Sequence, residues 1–123
     1  MQKAPTKLQI KNFSKADEVR DFPHGRLELV KLNGSIVGKA TLQPGWKWST
    51  DVKPIAKTDL CEAPHFQYQV SGTLKWILED KSEATTRAGD VVMAGAGHDA
   101  EVVGNEPVVV VDFQGMNVYA QKK

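Results

Sequence analysis

The chain has one cysteine, Cys61, in 123 residues, which excludes an intramolecular disulfide framework and any metal cage built from thiolates alone. A lone thiol fits a reducing compartment. Long apolar runs are also missing. None exceeds four residues, as in Val108 to Val111, against the ~20 that a membrane-spanning helix takes. No apolar stretch follows Met1-Gln2-Lys3-Ala4-Pro5 either. The expectation is a cytoplasmic protein with neither a membrane span nor a signal peptide. An excess of one charge is absent too: sixteen Lys and Arg face fifteen Asp and Glu. The balance hides an asymmetry, with eleven basic and five acidic groups in residues 1–57 and three basic and eight acidic groups in 58–101. The lysines before residue 57 are mostly single and spaced, with no Arg/Lys run interleaved with aromatics, so no nucleic-acid partner is expected. There is no G-x-S-x-G elbow, no phosphate-binding glycine loop and no H-E-x-x-H pair, which discounts hydrolase, kinase and nucleotide-binding functions.

What is present is a period of two. From Leu27 onward apolar and polar residues alternate, as in Ile36, Gly38, Ala40 and Leu42 against Val37, Lys39 and Thr41. Turn signals punctuate the pattern at Asn33-Gly34, Pro44-Gly45, Ser71-Gly72, Ala88-Gly89-Asp90, Gly95-Ala96-Gly97 and Gly104-Asn105. Between them lie short segments rich in Val, Trp, Tyr, Phe and Thr, and no stretch sustains a helical repeat. The reading is an all-β domain over residues 26–120, either a sandwich or a barrel. Residues 1–25 read as an N-terminal arm with one helical turn capped by Ser14. An immunoglobulin-like sandwich lacks its Cys–Trp–Cys framework here, and the wide gap from Trp48 to Phe66 suits a loop over a jelly-roll cavity.

Pro44-Gly45, His65 followed seven positions later by Gly72, and Gly89-Asp90-Val91-Val92-Met93-Ala94-Gly95-Ala96-Gly97-His98 resemble the two signature motifs of small single-domain cupins. The resemblance spans about residues 25–114. It implies a double-stranded β-helix, or jelly roll, that binds a small polar molecule. It also allows metal-dependent chemistry of the dioxygenase, isomerase or lyase type, or a non-catalytic sensor without metal. In this register the cupin glutamate position holds His65, the two histidines of the first motif fall at Asp59 and Cys61, and that of the second at Ala100. The stretch from Trp46 to Tyr68 looks like an uncharacterised cupin subgroup that keeps Cys and His at these places.

On that placement Asp59 and Cys61, two apart on an extended segment, point to one side and with His65 form a candidate metal site. A carboxylate, a thiolate and an imidazole favour zinc, with iron, nickel or manganese still open. So is a site without metal, in which Cys61 is a small buried hydrophobe and Asp59 a loop residue. His65 and His98 are the candidate catalytic residues, His98 as a proton carrier near its ordinary pKa or else as an exposed turn residue. By parity His65, Gln67 and Gln69 share one face and Phe66, Tyr68 and Val70 the other. Either the polar set faces the barrel and Gln67 and Gln69 bind a ligand, or the register is reversed. Trp46 and Trp48 either line a cavity mouth and stack on a ligand or belong to the core or a subunit contact. Trp76 reads as core. If the polar set faces inward, the outward apolar set predicts a homodimer.

Overall fold

The computed structural model describes residues 7–116 and 119 of the chain. Among these residues nine strands form two antiparallel sheets: β1 (Glu18–Phe22), β2 (Gly25–Leu32), β3 (Ser35–Leu42), β4 (His65–Ser71), β5 (Thr73–Leu78), β6 (Glu83–Arg87), β7 (Val91–Ala94), β8 (His98–Val103) and β9 (Val108–Asp112). The larger sheet runs β1-β2-β3-β9-β4-β7 and the smaller β6-β5-β8. Local chemistry sets the turns. Asn33 and Gly34 both have positive φ, 46° and 82°, which is the backbone of a two-residue hairpin turn whose twist matches the flanking strands, and Leu32 pairs with Ser35 across it. The Trp48 to Phe66 gap carries two four-residue helices, α1 (Trp48–Asp51) and α2 (Lys53–Ala56). Among the described residues no helix is long and apolar enough to cross a membrane.

Alternation buries Leu27, Leu29, Ala40, Leu42, Val108 and Val110 from the larger sheet against Leu74, Trp76, Ala100 and Val102 from the smaller, with Trp46, Trp48 and Val52 closing one side. The register left open by the sequence is decided in β4: His65, Gln67 and Gln69 are buried, and Phe66, Tyr68 and Val70 are exposed. Burying a glutamine is tolerable because its bonds are met. Gln69 Nε2 donates to Gly72 O and Thr86 O at 2.8 and 3.1 Å, and Oε1 accepts from Thr86 Oγ1 at 2.6 Å. Thr86 Oγ1 in turn accepts from Trp76 Nε1 at 3.0 Å, so one polar chain ties the two sheets together.

The N-terminal region differs from the sequence reading. β1 pairs with β2 along its whole length, from Glu18 opposite Leu29 to Phe22 opposite Gly25, so residues 18–22 extend the sheet. An edge strand with both faces largely wet shows little apolar alternation, which is why the sequence does not announce it. The turn before it is a single 3₁₀ turn, Phe13–Lys15, capped by Asn12, whose side chain accepts from Ser14 N at 2.9 Å. Ser14 is therefore inside the turn, and Glu18 already belongs to β1.

Candidate metal centre

Backbone bonds place Cys61 beside His98. Cys61 N donates to His98 O at 2.8 Å, and Gly97 N donates to Cys61 O at 2.7 Å, forming one antiparallel bridge where the long loop returns to the smaller sheet. β8 starts at His98, so His98, Ala100 and Val102 share its inward face, which is how an apparent turn histidine comes to be buried. His65 enters from the other sheet at the first position of β4. The ligand atoms of Cys61, His65 and His98 all lie within 4.8 Å of one another, and all three residues are buried.

Two hydrogen bonds prepare the imidazoles. His65 Nδ1 lies 2.5 Å from Asp112 Oδ2, and the fully buried Asp112 also accepts from Phe66 N at 3.1 Å and Gln114 N at 2.9 Å through Oδ1. A carboxylate held by two backbone donors accepts from Nδ1 and orients the His65 ring with Nε2 toward Cys61. His98 Nδ1 donates to Gly95 O at 3.0 Å, which leaves Nε2 of the neutral ring free. Cys61 Sγ lies 3.9 Å from His65 Nε2. Tetrahedral zinc with ordinary Zn–S and Zn–N bonds asks for a separation of roughly 3.6 Å. The Cys61–His65 pair is therefore within a few tenths of an ångström of what zinc asks, no two ligand atoms of the cluster are more than 4.8 Å apart, and all three residues border one cavity.

That cavity has about 30 Å³ of space, enough for a water or a single small donor group beside an ion. Trp46, Trp48, Gln67, Trp76, Met116 and Tyr119 are among its walls. The last two come from the segment after β9. Met116 fills a notch where Gly38 has no side chain: a Cβ there would stand 2.6 Å from Met116 Cγ. The Tyr119 ring packs edge-on against His65 at 5.8 Å, and Arg20 Nη1 donates to Tyr119 O at 2.7 Å. Trp76 and His98 also border a second space, an open groove of about 340 Å³ along β7. Trp46 Nε1 is buried with no hydrogen-bond partner among the described residues.

Of the sequence candidates, Cys61 and His65 converge, and His98 completes the triplet. Asp59 does not join them: its side chain is fully exposed and faces Lys53 Nζ at 3.7 Å. The reason is local. Residues 58–60 are bends and only Cys61 makes a bridge, so the alternation that would align Asp59 with Cys61 does not apply. Gln67 lines the cavity, whereas Gln69 has its bonds taken by the protein and does not. Trp46 and Trp48 are buried and belong both to the cavity wall and to the core. Asp112 is the residue the sequence reading missed. Its signal was the alternation Val108, Val110, Asp112, which places an acid on an otherwise apolar inward face.

Burial governs the charge state of the metal-free cluster. It pushes the Cys61 thiol up to about 12, reinforced by the charges of Glu62, Asp112 and Asp99 and opposed by a bond from the Ala63 backbone. It holds His98 down to about 4, well below the ordinary value expected of a proton carrier, with the neighbouring His65 adding to the effect. Both groups are neutral at pH 7. Folding stability of the chelator-treated protein should therefore be highest between pH 6.5 and 9.0, the ordinary values of the two groups. Below 6.5 an unfolded His98 takes up a proton that the folded one refuses, and stability is lost down to about 4. Above 9.0 an unfolded Cys61 ionises while the folded thiol does not, and stability is lost again. The acid limb is worth on the order of 3 kcal/mol. Urea unfolding across this range checks it, and a His98→Asn variant should flatten the acid limb.

No protein-family model and no curated protein matches the chain. Solved structures do. One is a conserved protein with a double-stranded β-helix domain from Klebsiella pneumoniae, at 20% identity and a TM-score of 0.57, covering 94% of this chain and 93% of that one. The ectoine synthase of P. lautus aligns at 9% identity and a TM-score of 0.61 over 87% of this chain and 78% of its own. KdgF from Halomonas sp. aligns at 16% identity and a TM-score of 0.56 over 81% and 89%. At these identities the likeness concerns the fold, and the fold is the cupin-type double-stranded β-helix that the motif resemblance implied.

Proposed function

We propose that the protein is a small-molecule-binding cupin whose Cys61, His65 and His98 hold one divalent metal, zinc by preference. The observation that carries this reading is the convergence of three buried ligand atoms whose two imidazoles each direct Nδ1 to an oxygen acceptor. Building such a cluster without an ion would leave three polar groups facing one another at a cost that the fold recovers when a cation is bound. Bound there, zinc would supply Lewis acidity at its open fourth position. Around that position Gln67 and the unpartnered Trp46 Nε1 supply hydrogen bonds to a polar ligand. Trp48, Trp76 and Tyr119 limit the ligand to a small group entering with one donor atom. This combination favours a small polar substrate and metal-dependent chemistry of the isomerase or lyase type, which needs no change of metal oxidation state, over a dioxygenase. The Cys and His positions agree with the uncharacterised cupin subgroup, and a thiolate ligand is best kept in a reducing compartment such as the cytoplasm.

A second reading has support from the same walls. A cavity of about 30 Å³ fits a sensor that holds one small molecule or water on Gln67 and Trp46 without turning it over. Elemental analysis of protein purified without a histidine tag separates the two. One zinc per chain is the expected result. A protein free of metal that retains a polar molecule in the barrel would establish the second reading in place of the first.

A further inference from the structure

Between β6 and β7 the two inner faces part. The strands are consecutive but belong to different sheets, and each is an edge, β6 pairing with β5 and β7 with β4. Register fixes which residues look inward there. Ala84 stands opposite Trp76, Val92 opposite Gln67 and Ala94 opposite His65, and all three partners are buried. Elsewhere inward positions such as Leu27, Leu42 and Val110 belong to the core between the sheets. Here the side chains are small and Ala84 is exposed, so the inner face is left open as a groove of about 340 Å³, the size of a small-molecule site.

The groove shares walls with the candidate metal centre. Trp76 and His98 line both it and the cavity of Cys61 and His65, with their rings 5.2 Å apart and edge to face. Gly95 O, which accepts from His98 Nδ1, belongs to the Gly95-Ala96-Gly97 loop that borders the groove. That loop has no bulk, and a Cβ at Gly95 would meet nothing within 4 Å. No Lys, Arg, Asp or Glu is among the walls, which are apolar apart from Thr86 and His98. Thr86 Oγ1 is already engaged with Gln69 and Trp76. A charged ligand body would lose its water there without gaining a partner. Glu79 adds repulsion against an anionic one, since its Oε2 would lie 3.4 Å from a Cβ at Gly97.

We infer that the β6–β7 groove takes the uncharged, apolar body of a ligand whose donor head group reaches the metal past Trp76 and His98. The inference rests on the reading of Cys61, His65 and His98 as a metal centre, and it assigns the part of the ligand that a cavity of about 30 Å³ cannot hold. The ligand class is a small molecule polar at one end only, with an aliphatic chain behind an oxygen donor.

Calorimetric titration of the zinc-loaded full chain with acetate, butanoate and hexanoate tests this. Burying one CH₂ completely is worth about fourfold in affinity, and about twofold in a groove open on one side. Hexanoate, four CH₂ groups longer, should therefore bind at least roughly tenfold more tightly than acetate. Ala84→Trp fills the groove and should erase that advantage, and Ala96→Trp serves the same test if the first variant fails to fold. Thr85→Trp, opposite Lys75 on the other face of the same strand, should keep the advantage. Equal affinities for acetate and hexanoate would overturn the inference and leave the metal centre standing. So would a hexanoate advantage that survives both groove variants, or hexanoate binding that is unchanged when a chelator removes the zinc. A chain that takes up no zinc would overturn the metal centre and this inference with it.

Discussion

Cys61→Ala combined with His65→Ala, in protein purified without a histidine tag beside the parent, should retain less than a tenth of the parent's zinc. Structural zinc sites in small peptides bind with about 10–16 kcal/mol, shared among their ligands, so removing two of three should weaken binding by at least roughly a thousandfold. His98→Ala alone should produce a large part of the loss, because one of its ring nitrogens is among the three converging atoms. Asp59→Ala provides the contrast. Its exposed carboxylate sits against Lys53 and away from the cluster, and its loss should leave metal content unchanged. Elemental analysis reads all four proteins. If the double variant kept its zinc, the metal would have to reside elsewhere.

Replacing Asp112 should produce the largest change in stability. This carboxylate is fully buried and satisfies Phe66 N, Gln114 N and His65 Nδ1 together. Asp112→Ala leaves His65 Nδ1 without a partner in the interior and Phe66 N and Gln114 N, both part-buried, without theirs, and about 3–5 kcal/mol of folding stability should be lost, at about 1–3 kcal/mol for each donor left unsatisfied. Asp112→Asn separates this structural part from the part that prepares the site. An asparagine can keep its oxygen on the two backbone donors but must turn its NH₂ toward His65. The imidazole then has to accept at Nδ1 and carry its proton on Nε2, where a metal needs a lone pair. Urea unfolding should show a smaller loss for Asp112→Asn than for Asp112→Ala. Zinc affinity in a chelator competition should fall by about 10–100-fold for Asp112→Asn. An Asp112→Asn protein that binds zinc as the parent does would show that the carboxylate does not set the His65 tautomer.

Much of the architecture was legible from local pattern. Period-two alternation and the turn residues marked β2, β3, β4, β5, β7, β9 and the second half of β8, because strand polarity and left-handed turn positions are properties of neighbours in sequence. β1 and β6 escaped because an edge strand has little to alternate. The site was only half legible. Cys61 and His65 could be singled out by their motif positions, but the sequence put Asp59 beside them and read His98 as a proton carrier or turn residue, and that His98 instead joins the cluster depends on which residue the returning loop bridges. No spacing rule reaches from 61 to 98.

The sequence by itself therefore determined an all-β domain, with one thiol and too little apolar run for a membrane helix, since each follows from composition or from contacts between near neighbours, while the cupin-type fold was what its motif resemblance implied. Tertiary structure alone decided that the polar face of β4 turns inward, that Asp112 orients His65, that Met116 and Tyr119 close the barrel, and that Asp59 stays at the surface. Each of these depends on hydrogen bonds or packing between residues tens of positions apart, and such partners are chosen by burial in three dimensions.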